Sequence, residues 1–302
     1  MRICVVLVSL LSLGVVYTSP VLTGNVGFNI GHKRADGACK TTDDWIEDFR
    51  TIRSWSHDMV QVNTARLFST SDCFNLKNAV PAAQATYIKI WVTIWATPKD
   101  KYIRERDELE YAIRTWGTDW IAGINVGSEH LYQGSLKPAT LARYINQVKM
   151  LVKVTLGAPH IAIGCADTWT QLVSPATKIV LGVSDVVLTN GFPYWQGIPI
   201  EAAGGIFTGN FNTVKNLIPD KPIIVGETGW PSAGPSFKGG QTSVANLQRY
   251  WYDTACPLVM QGIPVFWFSA FDEPAKDGEN GDVEKHFGVA SVDRHLKISL
   301  NC

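Results

Sequence analysis

Two glutamates in this chain stand where a carboxylate is expensive. Glu129 follows Ile124-Asn125-Val126-Gly127-Ser128, and Glu227 follows Ile223-Ile224-Val225-Gly226. A charged group placed directly after an apolar run must be hydrogen-bonded, paired or put to use. Two carboxylates facing each other across about 5 Å can open a glycosidic bond with retention of configuration. One attacks the anomeric carbon. The other protonates the leaving oxygen and then takes the proton of the incoming acceptor. A pair of salt-bridged rim carboxylates gives the same placement, so position alone leaves both readings open.

Competing chemistries find little support. The 302 residues carry 27 basic and 27 acidic side chains, which argues against a nucleic-acid partner and fits a neutral substrate. The six His are scattered and the Cys spacings make no zinc pattern, so no metal site is expected. No Asn-x-Ser/Thr sequon occurs, so N-glycosylation is not expected. Eleven Trp is an excess, and Trp supplies flat stacking surfaces as well as core.

The elements around the two glutamates must position them. Strand-like runs fall at 24–29, 59–68, 87–95, 120–126, 161–166, 186–190, 222–226 and 264–269. Each is close to continuously apolar, as when both faces of a parallel strand are buried. Helical periodicity occupies 42–55, 76–84, 104–116, 138–156, 175–181, 207–217 and 244–261, and is clearest from Leu141 to Thr155. Strands alternating with helices imply parallel βαβ units, and eight of them in about 280 residues make a single (β/α)8 TIM barrel. Chemistry in such a barrel sits at the C-terminal strand ends, and strands four and seven deliver the two glutamates to opposite sides of its mouth. The alternative is a doubly wound sheet. It would carry a Gly-rich phosphate turn after its first strand, and Gly27-Phe28-Asn29-Ile30-Gly31 is not one.

Met1 and Arg2, an apolar run to Val16 and Tyr17-Thr18-Ser19-Pro20 read as a secretory signal over 1–19, with the barrel domain at 20–302. A membrane anchor is the other reading, but the run is short for a bilayer. Loss of Cys4 with the signal leaves five Cys in an oxidising compartment, so one thiol is unpaired. Cys39 and Cys73 follow strands one and two and share a rim. We expect Cys39–Cys73 and Cys256–Cys302 bridges, with Cys165 free.

The residues around the glutamates resemble a known family. Gly226-Glu227-Thr228-Gly229-Trp230-Pro231-Ser232 resembles the nucleophile motif of glycoside hydrolase family 17, the β-1,3-glucan-active barrels. Asn125-Val126-Gly127-Ser128-Glu129 resembles its acid/base motif. Phe271-Asp272-Glu273-Pro274-Ala275-Lys276, followed by His286-Phe287-Gly288-Val289, resembles its closing segment. The resemblance implies that Glu227 is the nucleophile and Glu129 the acid/base, with no metal or organic cofactor. It also implies that Arg66 supports the nucleophile and that Glu273 and Lys276 lie at the site edge. Ser128 stands where the wider superfamily commonly has an Asn that contacts the sugar 2-hydroxyl. The same substitution marks the family's fungal cell-wall branch.

Other residues are candidates by position. Tyr194, after strand six, is placed to hydrogen-bond the nucleophile. Tyr132, Trp169, Trp195, Trp230 and Phe271 are placed to stack on glucose rings. Trp91, Trp116 and Trp120 are expected in the core, and His130 is expected to pack on its loop. The expected protein is a secreted monomer, extracellular or in the cell wall, with no membrane contact once the signal is removed. Its donor and acceptor are β-1,3-glucan or laminarioligosaccharides. Glucanosyl transfer in wall remodelling is favoured over endo-hydrolysis. A non-catalytic glucan-binding barrel would tolerate loss of either glutamate, and both are present. A barrel aldolase or isomerase would want a strand-end Lys, whereas Lys89 lies inside strand three.

Overall fold

Eight parallel strands close into a barrel in sequence order: β1 (Asn25–Ile30), β2 (Gln61–Phe68), β3 (Lys89–Ile94), β4 (Ile121–Ser128), β5 (Ile163–Thr168), β6 (Val187–Asn190), β7 (Ile223–Thr228) and β8 (Val265–Trp267). β1 pairs with both β2 and β8, which leaves no free edge. Helices fill the intervals, as the alternating pattern predicts. This computed structural model describes residues 25–57, 59–276 and 282–302, so the expected signal over 1–19 lies outside the described residues. Among them, no helix is long and apolar enough to cross a membrane.

Strands β4, β5 and β7 run two residues past the ends their apolar runs suggest. Polar residues there still join the ladder: Ser128 pairs with Ala166, Asn190 with Glu227 and Thr228 with Trp267. Glu227 therefore sits inside β7, while Glu129 is the first residue beyond β4. The helix expected at 207–217 begins at Ile200, because Gly204 and Gly205 hide the periodicity of its first turns. The helix expected at 244–261 is broken into Val244–Tyr250, a wide turn Trp251–Ala255 and Cys256–Met260. Pro257 lacks the N–H that a regular turn requires there.

The barrel interior is packed. Trp91 from β3 and Phe266 from β8 meet with ring centroids 5.6 Å apart, beside Ala166, Leu188 and Ile224. Gly123 on β4 makes room for the indole, since a Cβ there would come within 2.4 Å of the Trp91 ring. Trp91 and Trp120 are buried, and Trp116 packs half-buried against the core. The outer layer of helices packs through Trp45, Phe49, Tyr144, Phe207 and Trp251.

Both expected disulfides are present, and Cys165 is a buried thiol. Cys39–Cys73 ties the loop after β1 to that after β2, and Cys256–Cys302 ties down the C-terminus. Sequence separations of 34 and 46 correspond to about 4 kcal/mol of loop-closure stabilisation each.

Candidate active site

The barrel mouth is organised around one guanidinium. Arg66, from β2, is fully buried. Its Nη1 donates to Glu227 Oε1 at 2.8 Å and to the Gly226 carbonyl at 3.0 Å. Its Nη2 donates to Ser128 Oγ at 3.2 Å, and its Nε to Thr93 Oγ1 at 3.2 Å. A fork that reaches β3, β4 and β7 at once fixes the strand ends relative to each other, which a single ammonium cannot do. Asn29 on β1 adds a second staple: its Nδ2 donates to the carbonyls of Gly226, Phe266 and Trp267. Asn125, inside β4, accepts from Trp91 Nε1 and Thr93 Oγ1, both at 3.0 Å.

Three donors converge on Glu227 Oε1: Arg66, Ser128 Oγ at 3.1 Å and Asn190 Nδ2 at 2.9 Å. The same Asn190 Nδ2 donates to Glu129 Oε1 at 2.9 Å. Two 2.9 Å bonds from one nitrogen cap the separation of the two carboxylate oxygens at twice that, about 5.8 Å. Retaining pairs lie about 5–5.5 Å apart and inverting pairs about 6.5–9.5 Å. Asn190 closes β6, and Gly226 makes its approach possible: a Cβ there would sit 2.6 Å from Asn190 Oδ1. Register shifts in the β4–β5, β6–β7 and β7–β8 ladders fall at these residues and re-aim their side chains into the mouth.

Glu129 holds a left-handed backbone conformation, φ 59°. A non-glycine residue is uncommon there and persists only when its surroundings hold it. Its N–H donates to the Ala166 carbonyl at 3.1 Å, and its carbonyl accepts from Gln133 N–H at 2.9 Å. Burial, then the neighbouring Glu227, push the Glu129 carboxyl up to about 7. The two carboxylates are therefore unlike: one is surrounded by donors, the other holds its proton to near neutrality.

A cleft of about 810 Å³ opens above the pair. Half-buried Trp95 and Phe268, which follow β3 and β8, line it together with Phe271, Gln133, Glu273 and Lys276. Glu273 and Lys276 form a 2.6 Å ion pair, with the ammonium 4.2 Å from the centre of the Phe268 ring.

Several candidates are corrected. Tyr194 does not reach Glu227: its hydroxyl donates to the Pro235 carbonyl at 2.7 Å, and its ring is buried against Trp230 and Phe287. It lies in the turn Pro193–Gln196, beyond the strand, whereas Asn190 at the strand end makes the contact. Trp230 is fully buried and donates to the Gln241 carbonyl, and Trp169 is buried against Phe207, so neither offers a face to a sugar. Trp195 packs half-buried on Phe237 and Phe287, away from the cleft walls. Tyr132 is 61% exposed and is not part of the cleft wall, although the next residue, Gln133, is. His130 packs on its loop as expected, taking the Ala96 N–H on Nε2. Asn190, Trp95 and Phe268 were not singled out by the sequence, where they read as ordinary strand-closing residues.

The family model for the BtgE/BtgC glycoside hydrolase domain matches residues 27–288. A glucan 1,3-beta-glucosidase of Saccharomyces cerevisiae is 33% identical, over 92% of this chain and 91% of its own. The crystal structure of a glycoside hydrolase family 17 beta-1,3-glucanosyltransferase from Rhizomucor miehei superposes with a TM-score of 0.80 at 33% identity, covering 92% of this chain and 98% of that one. An active-site mutant of the same Rhizomucor enzyme, in complex with laminaritriose, matches equally well. This chain thus belongs to glycoside hydrolase family 17, as a β-1,3-glucan-active enzyme.

Proposed function

We propose that the protein is a secreted, retaining β-1,3-glucanosyltransferase, with Glu227 as nucleophile and Glu129 as acid/base. The observation that carries this is the bridge of Asn190 Nδ2 between the two carboxylates. In the first step Glu227 attacks the anomeric carbon, and the glycosidic oxygen leaves with the Glu129 proton. A glycosyl ester of Glu227 remains. In the second step Glu129, now a carboxylate, takes the proton of an incoming hydroxyl, whose oxygen attacks the same carbon and frees Glu227. Two inversions give net retention. Asn190 and Ser128, both donors beside Glu227, take the place of the superfamily's Asn next to the acid/base.

Transfer and hydrolysis differ only in whether a sugar hydroxyl or water captures the ester. The 33% identity to the Rhizomucor glucanosyltransferase supports transfer, as does the walled cleft. Endo-hydrolysis is the second reading; the name of the yeast relative, a glucan 1,3-beta-glucosidase, favours hydrolysis without specifying endo action. Incubation with laminarioligosaccharides decides: transfer makes products longer than the substrate, and hydrolysis makes only shorter ones. The two disulfides fit an oxidising compartment and hence export through the 1–19 segment to the wall, with 20–302 as the mature domain.

The acid limb and the alkaline limb of the rate report different groups. Glu129 must hold a proton for the first step, and its carboxyl is pushed up to about 7. As pH rises through 7 that proton is lost, so kcat/KM should fall about tenfold per pH unit above it. Rates on laminarioligosaccharides that stay flat from about pH 5 to pH 9 would contradict the assignment.

Tyr132 is three residues past Glu129, exposed and next to the cleft-lining Gln133, from where its ring can reach the side at which the leaving group departs and the acceptor enters. An incoming glucose ring needs a platform, and water needs none. Tyr132→Ala should therefore lower transfer about tenfold more than cleavage, given about 1.4 kcal/mol of lost stacking. Chromatography at equal donor consumption reads the ratio of longer to shorter products. An unchanged ratio reduces Tyr132 to packing.

A further inference from the structure

Asp167 is a buried carboxylate that the mechanism above leaves unused. It lies on β5, 1% exposed, one residue before the strand end. No ion pair among the described residues involves it. Its Oδ2 accepts the Leu131 N–H at 3.1 Å, and its Oδ1 accepts the Thr168 N–H at 2.9 Å. The Tyr132 N–H also favours its charged form. The donors Leu131 and Tyr132 belong to the 129–133 turn that begins at Glu129 and closes on the Glu129 carbonyl. Such a turn exposes its first N–H groups as the N-terminus of a helix does, and a carboxylate satisfies them best. Asp167 thus does for this turn from β5 what an N-cap residue does for a helix from within its own chain.

We propose that Asp167 is the positioning residue of the acid/base: it clamps the 129–133 turn to the end of β5 and so fixes where Glu129 delivers its proton. This rests on the reading of Glu129 as acid/base. Three observations converge on it. The strained backbone of Glu129 needs an external constraint, and the bonds to Ala166 and Asp167 on β5 supply one. The same turn carries Tyr132, so its backbone is held along with that of Glu129. The unpaired negative charge of Asp167 also acts on Glu129, adding to burial and Glu227 in raising its carboxyl. Asp167 itself is pushed up to about 6 by burial, against the pull of its three backbone donors. The titratable neighbours are Cys165 on β5 itself, with Glu129, His130 and Tyr132 on the adjacent turn. β6 and the short helix Trp169–Leu172 carry none. Across the mouth stand Glu227 and Arg66.

The test uses two donors. A laminarioligosaccharide needs protonation of its leaving oxygen, whereas a β-laminaribiosyl fluoride loses fluoride without it. Asp167→Asn removes the charge and turns one acceptor into a donor facing an N–H. Turnover of the oligosaccharide should fall about 10- to 100-fold, the scale of a misplaced catalytic group. The first step on the fluoride, read as the burst of fluoride release, should change less than about threefold, since it needs no proton from Glu129 and the nucleophile side is untouched. The alkaline limb on the oligosaccharide should move to lower pH, because Glu129 loses a raising charge. Equal losses on both donors, or an unmoved alkaline limb, would overturn the proposal. Asp167→Glu keeps the charge but shifts the oxygens by one methylene. It should spare the limb and still lose oligosaccharide turnover selectively, and it carries the test if Asp167→Asn does not fold. Failure of both to fold makes Asp167 structural and overturns the assignment. Glu129→Gln is the control for the underlying reading: it must spare the fluoride's first step while abolishing oligosaccharide cleavage. If it does not, the acid/base assignment fails; if it does and Asp167→Asn shows no such selectivity, only the positioning role fails.

Discussion

Glu227→Ala should lower turnover of laminarioligosaccharides on the order of 10⁵-fold, as when the nucleophile of a covalent mechanism is removed. That is about 7 kcal/mol of transition-state stabilisation. On the proposed mechanism the loss is this large because Glu227 is the group that bonds the anomeric carbon, and no neighbour can take over. Ser128 Oγ and Asn190 Nδ2 touch its oxygen but have no carboxylate to offer. The variant should remain folded, since removing Glu227 leaves Arg66 bonded to Gly226, Asn29, Ser128 and Thr93. Truncation also opens a space below the anomeric carbon. With the fluoride donor and azide, a small anion should enter there, displace fluoride in one step and give the α-glycosyl azide, an inverted product. Wild-type enzyme should give only β products. An α-azide identifies the face from which Glu227 attacks. A variant that keeps more than about a hundredth of wild-type turnover would remove Glu227 from the nucleophile's role.

The barrel was legible because its pattern is redundant: eight apolar runs and their helices agree, and an error of two residues at one strand end changes nothing in the topology. The carboxylate pair was legible for a different reason. Glu129, Glu227 and Arg66 each close or interrupt an apolar run, and charge in such a place is a strong signal. Asn190 carries no such signal, since an Asn before Gly191 reads equally well as the start of a turn. The aromatics failed in both directions. Side chains on a strand alternate between faces, so a shift of one residue exchanges cleft for core. Trp95 and Phe268 follow β3 and β8 and face the cleft, yet read as ordinary closing residues of their strands. Tyr194 and Trp230 lie just past their strands and read as site residues, yet the chain has already turned and tucks them under Phe287 and Tyr250. Aromatic type and distance from a strand end do not encode that turn. Asp167 was hidden by its own role, because a carboxylate that bonds backbone N–H groups leaves no partner side chain to be noticed.

Arg66→Met should lower both stability and turnover, and the two effects are separable. The substitution keeps most of the volume and removes a buried cation whose partners cannot re-pair. Glu227 would lose its only ion-pair partner among the described residues, and the Gly226 carbonyl and Asn29 Oδ1 would each lose a donor. Breaking a buried pair by removing one member costs about 3–5 kcal/mol, because the other charge stays behind. For a domain of this size that lowers Tm by about 10 °C. Below the transition the folded variant should still turn over laminarioligosaccharides about 10²- to 10³-fold more slowly, because the same fork that joins β2, β3, β4 and β7 also aims the Glu227 oxygen. Arg66→Lys separates charge from geometry. Its ammonium can reach Glu227 but cannot also span Ser128, Thr93 and the Gly226 carbonyl, so it should recover part of the lost Tm while turnover stays low. Thermal unfolding followed by calorimetry, with initial rates measured 20 °C below each midpoint, reads the two quantities independently. If Arg66→Met loses stability but keeps wild-type turnover when folded, Arg66 is scaffold alone. If it keeps both, the fork is not what holds the strand ends in register at the mouth.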